Sequence, residues 1–458
     1  MTSQEQIAEL EKAKDSITLV QESLAAVPPS DVIHVSAGQS IQAAIDSAPD
    51  GATITLEAAT YDEALTLTKP VELVPATTLR HQRATADVSV WITSAAEATI
   101  LVQGSGITVA GLGIRNREPS YDAVDITGSS VLFDRCTVVG DPAHGMRRGF
   151  LTHGMTTKIL GCYVDDVFNI GRDTCAIGGW EMGTEAPSRI RDLLRRSPAP
   201  DNVVIDDCYL RGGAETIMYG GADTTSASKI PQHITITNST LTKKPEWYAM
   251  GVQIKNAFEL KCAQHVYLAD CVLEYAGVSE GQSAYLIVLT VRNQDGAATW
   301  SCITDVLIER CVCRYGGGGV SFLGHDDSYA SGPLRDVTLR NVKFCEMNFD
   351  GIWAQPPHYG AGRGCMFNNN PQNVTMDGIT MEGSQMSALG YFANVPNQPT
   401  GLVLRNWNFA LCPSDYGWKI DDGGMDVPPA SANLQQLMPD LVYEITATDP
   451  GADGYPEG

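Results

Sequence analysis

The stretch that decides the fold is VVIDDCYL, Val203 to Leu210, with its echo ITITNSTL, Ile234 to Leu241. Both read apolar, any, apolar, any, small or polar, a small or apolar plug, any, apolar. Upstream the same phrase stands as ITVAGLGI from Ile107, VLFDRCTV from Val131 and TKILGCYV from Thr157. Downstream it stands as VYLADCVL from Val266, VLIERCVC from Val306, VTLRNVKF from Val337, VTMDGITM from Val374 and LVLRNWNF from Leu402. Successive starts of the ten copies lie 24 to 46 residues apart. The alternation is the period of a strand with one face buried. Gly, Asn or Asp at the fifth position bends the chain between two short strands. A strand, a bend, a strand and a return, repeated ten times, describe a coil of parallel strands. Its turns stack at roughly 4.8 Å, with the first, third, sixth and eighth residues of each phrase facing in. The longest interval, Thr157 to Val203, holds a short inserted helix that starts at Pro187.

Composition narrows the partners. The 458 residues include 31 Lys+Arg against 54 Asp+Glu, a formal charge of −23, which argues against nucleic acid and against an anionic membrane surface. No run of apolar residues is long enough to insert across a bilayer. The first residues, MTSQEQIAELEKAKDS, lack the basic start and apolar core of a secretory leader. Of the 12 cysteines, Cys136, Cys162, Cys208, Cys271 and Cys311 share the sixth position of the phrase. Gly-like small residues or other apolar side chains replace them in other copies. They read as small buried plugs, and most thiols are expected free. No spacing suits a structural zinc, and neither a metal nor another cofactor is expected.

The start of the coil is also legible. Ser40 opens a short helix over residues 40–48 that covers the open end of the stack. The segment SIQAAIDSAPDGATITLEAATYDEALTLTKPVELV, Ser40 to Val74, resembles the opening of right-handed parallel β-helix proteins of the pectin-lyase-like superfamily. GRDTCAIGGW from Gly171, GGAETIMYGGAD from Gly212, KNAFELK from Lys255 and TVRNQDG from Thr290 are similar to bacterial and phage β-helix repeat proteins, phage tail spikes among them. The resemblance covers residues 35 to 410. It implies an all-β, single-stranded right-handed solenoid of about 10–12 rungs. The superfamily includes lyases, hydrolases, esterases and inert spikes, so it implies no single activity. Residues 1–30 read as a separate helix, 31–420 as the coil, and 421–458 as an acidic tail or far-end cap with one strand-like run from Leu441.

Polar residues at matching positions mark a candidate glycan site. Glu259 and Lys261 alternate with Phe258, Leu260 and Cys262 and so face outward together. Arg292 closes the next strand, Asp295 follows it, and Lys255 and Glu215 lie close by in the same part of the coil. The set Glu215, Glu259, Lys261, Arg292 and Asp295 reads either as a glycan-binding cleft or as a ladder of mutually satisfied charges. Trp180, Tyr219, Trp247 and Trp353 could supply sugar-stacking platforms, or could be rung-corner core. Asp165-Asp166 and Asp206-Asp207, being sequence neighbours, point opposite ways in a strand and read as solvated turn residues. His325-Asp326-Asp327 is a loop with metal-ligand chemistry. The ordered Asn-Thr-Asp, paired Asp, Gly-His-Gly and Arg-Ile-Lys motifs of polygalacturonases are not reproduced, and no catalytic residue is assigned.

Leu10, Ala13, Ile17, Val20, Leu24 and Val27 form an a/d seam, so residues 7–27 are expected to join three copies or to pack on the coil as a lone helix. The function expected first is that of a virion appendage. It would be a tail-spike-like homotrimer attached to other virion proteins and recognising host surface polysaccharide. A polysaccharide lyase or glycoside hydrolase, and a purely structural virion component, are the alternatives.

Overall fold

The computed structural model describes residues 31–77, 83–181, 199–277, 284–347, 363–382, 388–392, 397–410, 418–420, 425–427, 440 and 442–444. The seam of residues 7–27, the helix expected from Pro187, Trp353 and most of the acidic tail lie outside the described residues.

Each phrase folds as two strands meeting at a bend. Its first half enters a 14-stranded sheet, for example Asp201–Asp206, Gln232–Thr237 and Ala263–Ala269. Its second half enters a 12-stranded sheet, for example Tyr209–Gly212, Thr240–Thr242 and Val272–Ala276. The return segment enters a third sheet of 13 strands, including Cys175–Gly179, Glu215–Tyr219 and Phe258–Leu260. Pairing is parallel from turn to turn. The exception among the described strands is the terminal pair Trp418–Ile420 and Met425–Val427. Register follows the phrase: Val203 lies beside Ile234, Ile205 beside Ile236, and Leu210 beside Leu241. Three sheets wound by one chain, parallel but for that terminal pair, make a parallel β-helix, and crossover connections between parallel strands take the right-handed sense.

The fifth residue adopts the left-handed region in all ten copies. Gly111, Gly161 and Gly378 stand there, as do Asp207, Asn238, Asp270, Asn341 and Asn406, whose short polar side chains tolerate it. Arg135 and Arg310 hold the same conformation, at φ values of 49° and 51°.

 Neither is Gly, Asn or Asp, and each is held by an ion pair: Arg135 with Asp134, and Arg310 with Asp270 at 2.7 Å.

The inward rows form one continuous core. Ile205, Cys208 and Leu210 are fully buried, as expected. The sixth-position plugs also touch along the axis: the Cys136 N–H donates to Cys162 Sγ at 3.4 Å and the Cys208 N–H to Ser239 Oγ at 3.0 Å. The eleven described cysteines are all buried and unbridged. Burial pushes the thiols of Cys162 and Cys271 well up. At the start of the coil the helix Ile41–Ser47 buries Ile41 and Ile45, and Ser40 Oγ accepts the Ala43 N–H at 3.1 Å. At the far end, Val442–Glu444 adds the last strand of the first sheet, beside Val403–Arg405. Among the described residues no helix is long and apolar enough to cross a membrane.

Candidate functional site

The site lies where the chain passes from the second sheet into the third. Gly212-Gly-Ala214 turns this corner, and the third-sheet strand Glu215–Tyr219 begins at once. On the next turn Phe258 and Leu260 go fully into the core, which sends Glu259 and Lys261 to the opposite face. That face is covered: Glu259 is buried, while the Lys261 side chain keeps 21% of its exposure.

The geometry joins four of the expected residues. Lys255 Nζ lies 2.7 Å from Asp173 Oδ1 and 3.4 Å from Glu215 Oε1. Lys261 Nζ lies 3.6 Å from Glu259 Oε1, and Glu259 Oε2 accepts the Asn256 side-chain N–H at 3.0 Å. Glu215 is 1% exposed, and neither of its carboxylate oxygens receives a hydrogen bond; Asn256 Oδ1 also receives none. Burial pushes the Glu215 carboxyl up, the charge of Glu259 adds to this, and Lys255 opposes it, leaving the group at about 7.

Lys243 belongs to the same corner and was not anticipated. It is fully buried, and its Nζ donates to the carbonyls of Gly212, Gly213 and Ala214 at 2.8, 2.9 and 3.1 Å. Burial pulls this ammonium down, with Glu215 opposing; three carbonyl acceptors match the three N–H groups of the charged form. One signal was available: Lys243 stands two residues after the inward Leu241, so strict alternation points it inside. Asp173 and Asn256 carried no such signal.

Arg292 and Asp295 sit beside this group and not in it. The Arg292 N–H donates to the Lys261 carbonyl at 3.0 Å, but its guanidinium pairs with Asp327 at 2.7 Å. Asp295 is exposed, and its N–H donates to Asp223 at 2.9 Å. The His325-Asp326-Asp327 loop spends its carboxylates within the chain. Asp326 accepts the N–H groups of Asn293, Ser328 and Tyr329, and Asp327 takes Arg292. Among the described residues no group of three or more His, Cys, Asp and Glu is arranged to hold a metal.

One expectation needs correction. Asp165 and Asp166 are buried and not solvated. Asp166 has a φ of 52° and the register shifts between Val164 and Val167, so both carboxylates reach Lys244, at 3.0 and 2.6 Å. This bulge cancels the alternation that would have parted them. Of the two readings of the aromatics, the core holds: Trp180, Tyr219 and Trp247 are all buried. The half-exposed aromatic near the site is Tyr329, packed against Gly296. Asp206 and Asp207 do behave as bend residues: Asp206 accepts from Thr237 and Asn238, and Asp207 from Arg83.

No protein-family model matches the chain, and no curated protein sequence does. Solved structures do match. The surface protein and adhesin PfbA of Streptococcus pneumoniae aligns over 83% of this chain and 95% of its own, at 13% identity and a TM-score of 0.54. A second PfbA structure aligns over 86% and 92%, at 13% identity and 0.50. A pectate lyase, Pel9A, aligns over 79% of each chain at 11% identity and 0.41. At such identities the likeness is one of fold, and the fold is the right-handed parallel β-helix.

Proposed function

We propose that this chain is a polysaccharide-binding β-helix whose ligand seats at the corner of Glu215, Glu259, Lys255 and Lys261. One observation carries the reading. Asp173 and Lys261 bring an anion and a cation to the surface of this corner, their side chains 52% and 21% exposed, above the buried Glu215, Glu259 and Asn256. A carboxylate accepts from sugar hydroxyls and an ammonium donates to sugar oxygens, so the exposed pair offers both halves of a polar contact. PfbA is named as an adhesin, a binding role on the same fold.

The finer reading is a virion appendage that recognises host surface polysaccharide as a homotrimer joined through residues 7–27. The a/d seam supports it. The test is titration of the full chain with purified bacterial surface polysaccharides, followed by assay of the same mixtures for new reducing ends. Binding without release supports a receptor-binding protein. Release identifies a depolymerase. Absence of binding across the panel leaves a structural component.

A further inference from the structure

Beyond the Lys261 corner, two loops hold an aromatic ring out to solvent, and this step rests on the polysaccharide-binding reading. The loops follow the third-sheet strands Tyr285–Thr290 and Gly318–Leu323, which form the two turns after Phe258–Leu260. The first loop is fixed from within the coil. Asp223 accepts the Gln294 and Asp295 N–H groups at 2.6 and 2.9 Å, and the buried Asn293 accepts the Ala298 N–H at 2.8 Å. The second loop is fixed to the first. Asn293 donates to the Ala330 carbonyl at 2.8 Å, and Asp326 accepts the N–H groups of Asn293, Ser328 and Tyr329 at 2.8, 2.7 and 3.0 Å. These bonds fix the backbone of Tyr329 without covering the residue, which stays 50% exposed. Its ring lies on Gly296, where a Cβ would come within 2.8 Å of Tyr329 Cδ1. An exposed tyrosine on a mobile loop calls for no explanation. One held on a hydrogen-bonded pedestal, with a glycine beneath its ring, is preorganised, and a ligand landing on it orders little that was free. Beside it stands the Arg292–Asp327 pair, 2.7 Å apart, whose side chains both reach solvent. A pair this exposed adds little stability. It carries more donors and acceptors than its mutual contact uses. The Arg292 N–H donates to the Lys261 carbonyl, so this surface is continuous with the corner.

We propose that Tyr329 is the stacking platform for a pyranose ring of the bound polysaccharide, with the Arg292–Asp327 pair at the edge of that sugar. The tyrosine ring takes the C–H face of the sugar out of water. The guanidinium donates to sugar oxygens and the carboxylate accepts from sugar hydroxyls. The subsite therefore selects a sugar with one ring face of C–H bonds, unbroken by an axial hydroxyl, and hydroxyls around its rim. Lys261, Arg292 and Tyr329 stand on three successive turns, so the polymer runs along the coil from the corner to the platform.

The test uses the full chain and purified bacterial surface polysaccharides, taking a polymer that the unaltered chain binds in calorimetric titration. Tyr329→Ala should weaken its binding by about tenfold or more. Tyr329→Phe keeps the ring and should weaken it by about threefold at most. Asp327→Ala should weaken it by about threefold to tenfold. Tyr329 and Asp327 are exposed, so the urea midpoints of these variants should match that of the parent, which separates lost binding from lost folding. Lys261→Ala reads the corner separately. Weakened binding by Lys261→Ala, with Tyr329→Ala within about twofold of the parent, would overturn the subsite and leave the binding function standing. Equal losses for Tyr329→Ala and Tyr329→Phe would assign the contact to the hydroxyl and overturn the stacking. If no polymer of the panel binds the unaltered chain, the polysaccharide-binding reading falls and the subsite falls with it.

Discussion

A carboxyl group that receives no hydrogen bond is more stable with its proton on, and Glu215 is in that position. Its carboxyl is raised to about 7, first by burial and then by Glu259. The folded state therefore holds a proton that the unfolded chain releases near its ordinary value. The stabilising contribution is complete below the unfolded value and is lost as pH rises through the folded one. Glu215→Gln removes this dependence. The melting temperature of the parent protein should fall relative to the variant between roughly pH 5 and pH 8, by the equivalent of about 2–3 kcal/mol. Parallel pH profiles would reject the argument. The thiols give a second test. Because burial suppresses the thiolate, a chromogenic reagent should label few of the 12 cysteines in native protein and nearly all in denaturant without reductant. A denatured count below about half would contradict it. Residues inside the phrase, such as Ile205 and Cys208, were legible because parity alone places them. The corner was only partly so. Glu215, Glu259 and Lys261 could be singled out, but Lys243 and Asp173 join them through the course of a turn and a loop, which no periodicity encodes.

The bend between the first two sheets is the element on which the winding depends, and its left-handed residue explains why the fifth position of the phrase is so restricted. At Gly378, where φ is 69°, a Cβ would lie 2.3 Å from Asn341 Oδ1 on the preceding turn. Gly378→Ala should therefore lower stability by about 1–2 kcal/mol or more, read as a shift in urea midpoint at constant slope. Asn341→Ala should cost about 1 kcal/mol from backbone strain alone. Equal midpoints for the parent and Gly378→Ala would mean that the bend relaxes freely. The alternation and the bend could be read from sequence, although Arg135 and Arg310 show that a bulky residue can occupy the left-handed position when an acidic neighbour holds it. The bulge at Asp166 could not be read, because one extra residue reverses parity and leaves no mark in composition.

At the scale of the whole molecule, a trimer joined through residues 7–27 predicts three times the chain mass by light scattering. Removal of residues 1–29 should weaken or abolish that assembly. A monomeric full-length protein would remove the a/d seam as an argument for a virion appendage. The coil itself has another property. Each turn pairs only with the turns before and after it, and equivalent residues of successive turns lie side by side, as Val337 does with Val374. Excising residues 337–373 would join Asp336 to Val374 and leave the remaining strands in register. The shortened protein should fold, and should be shorter by about 4.8 Å, one interstrand spacing. The fold thus works as an adjustable spacer: its reach can be gained or lost by whole turns while the corner of Glu215, Lys255 and Lys261 stays as it is.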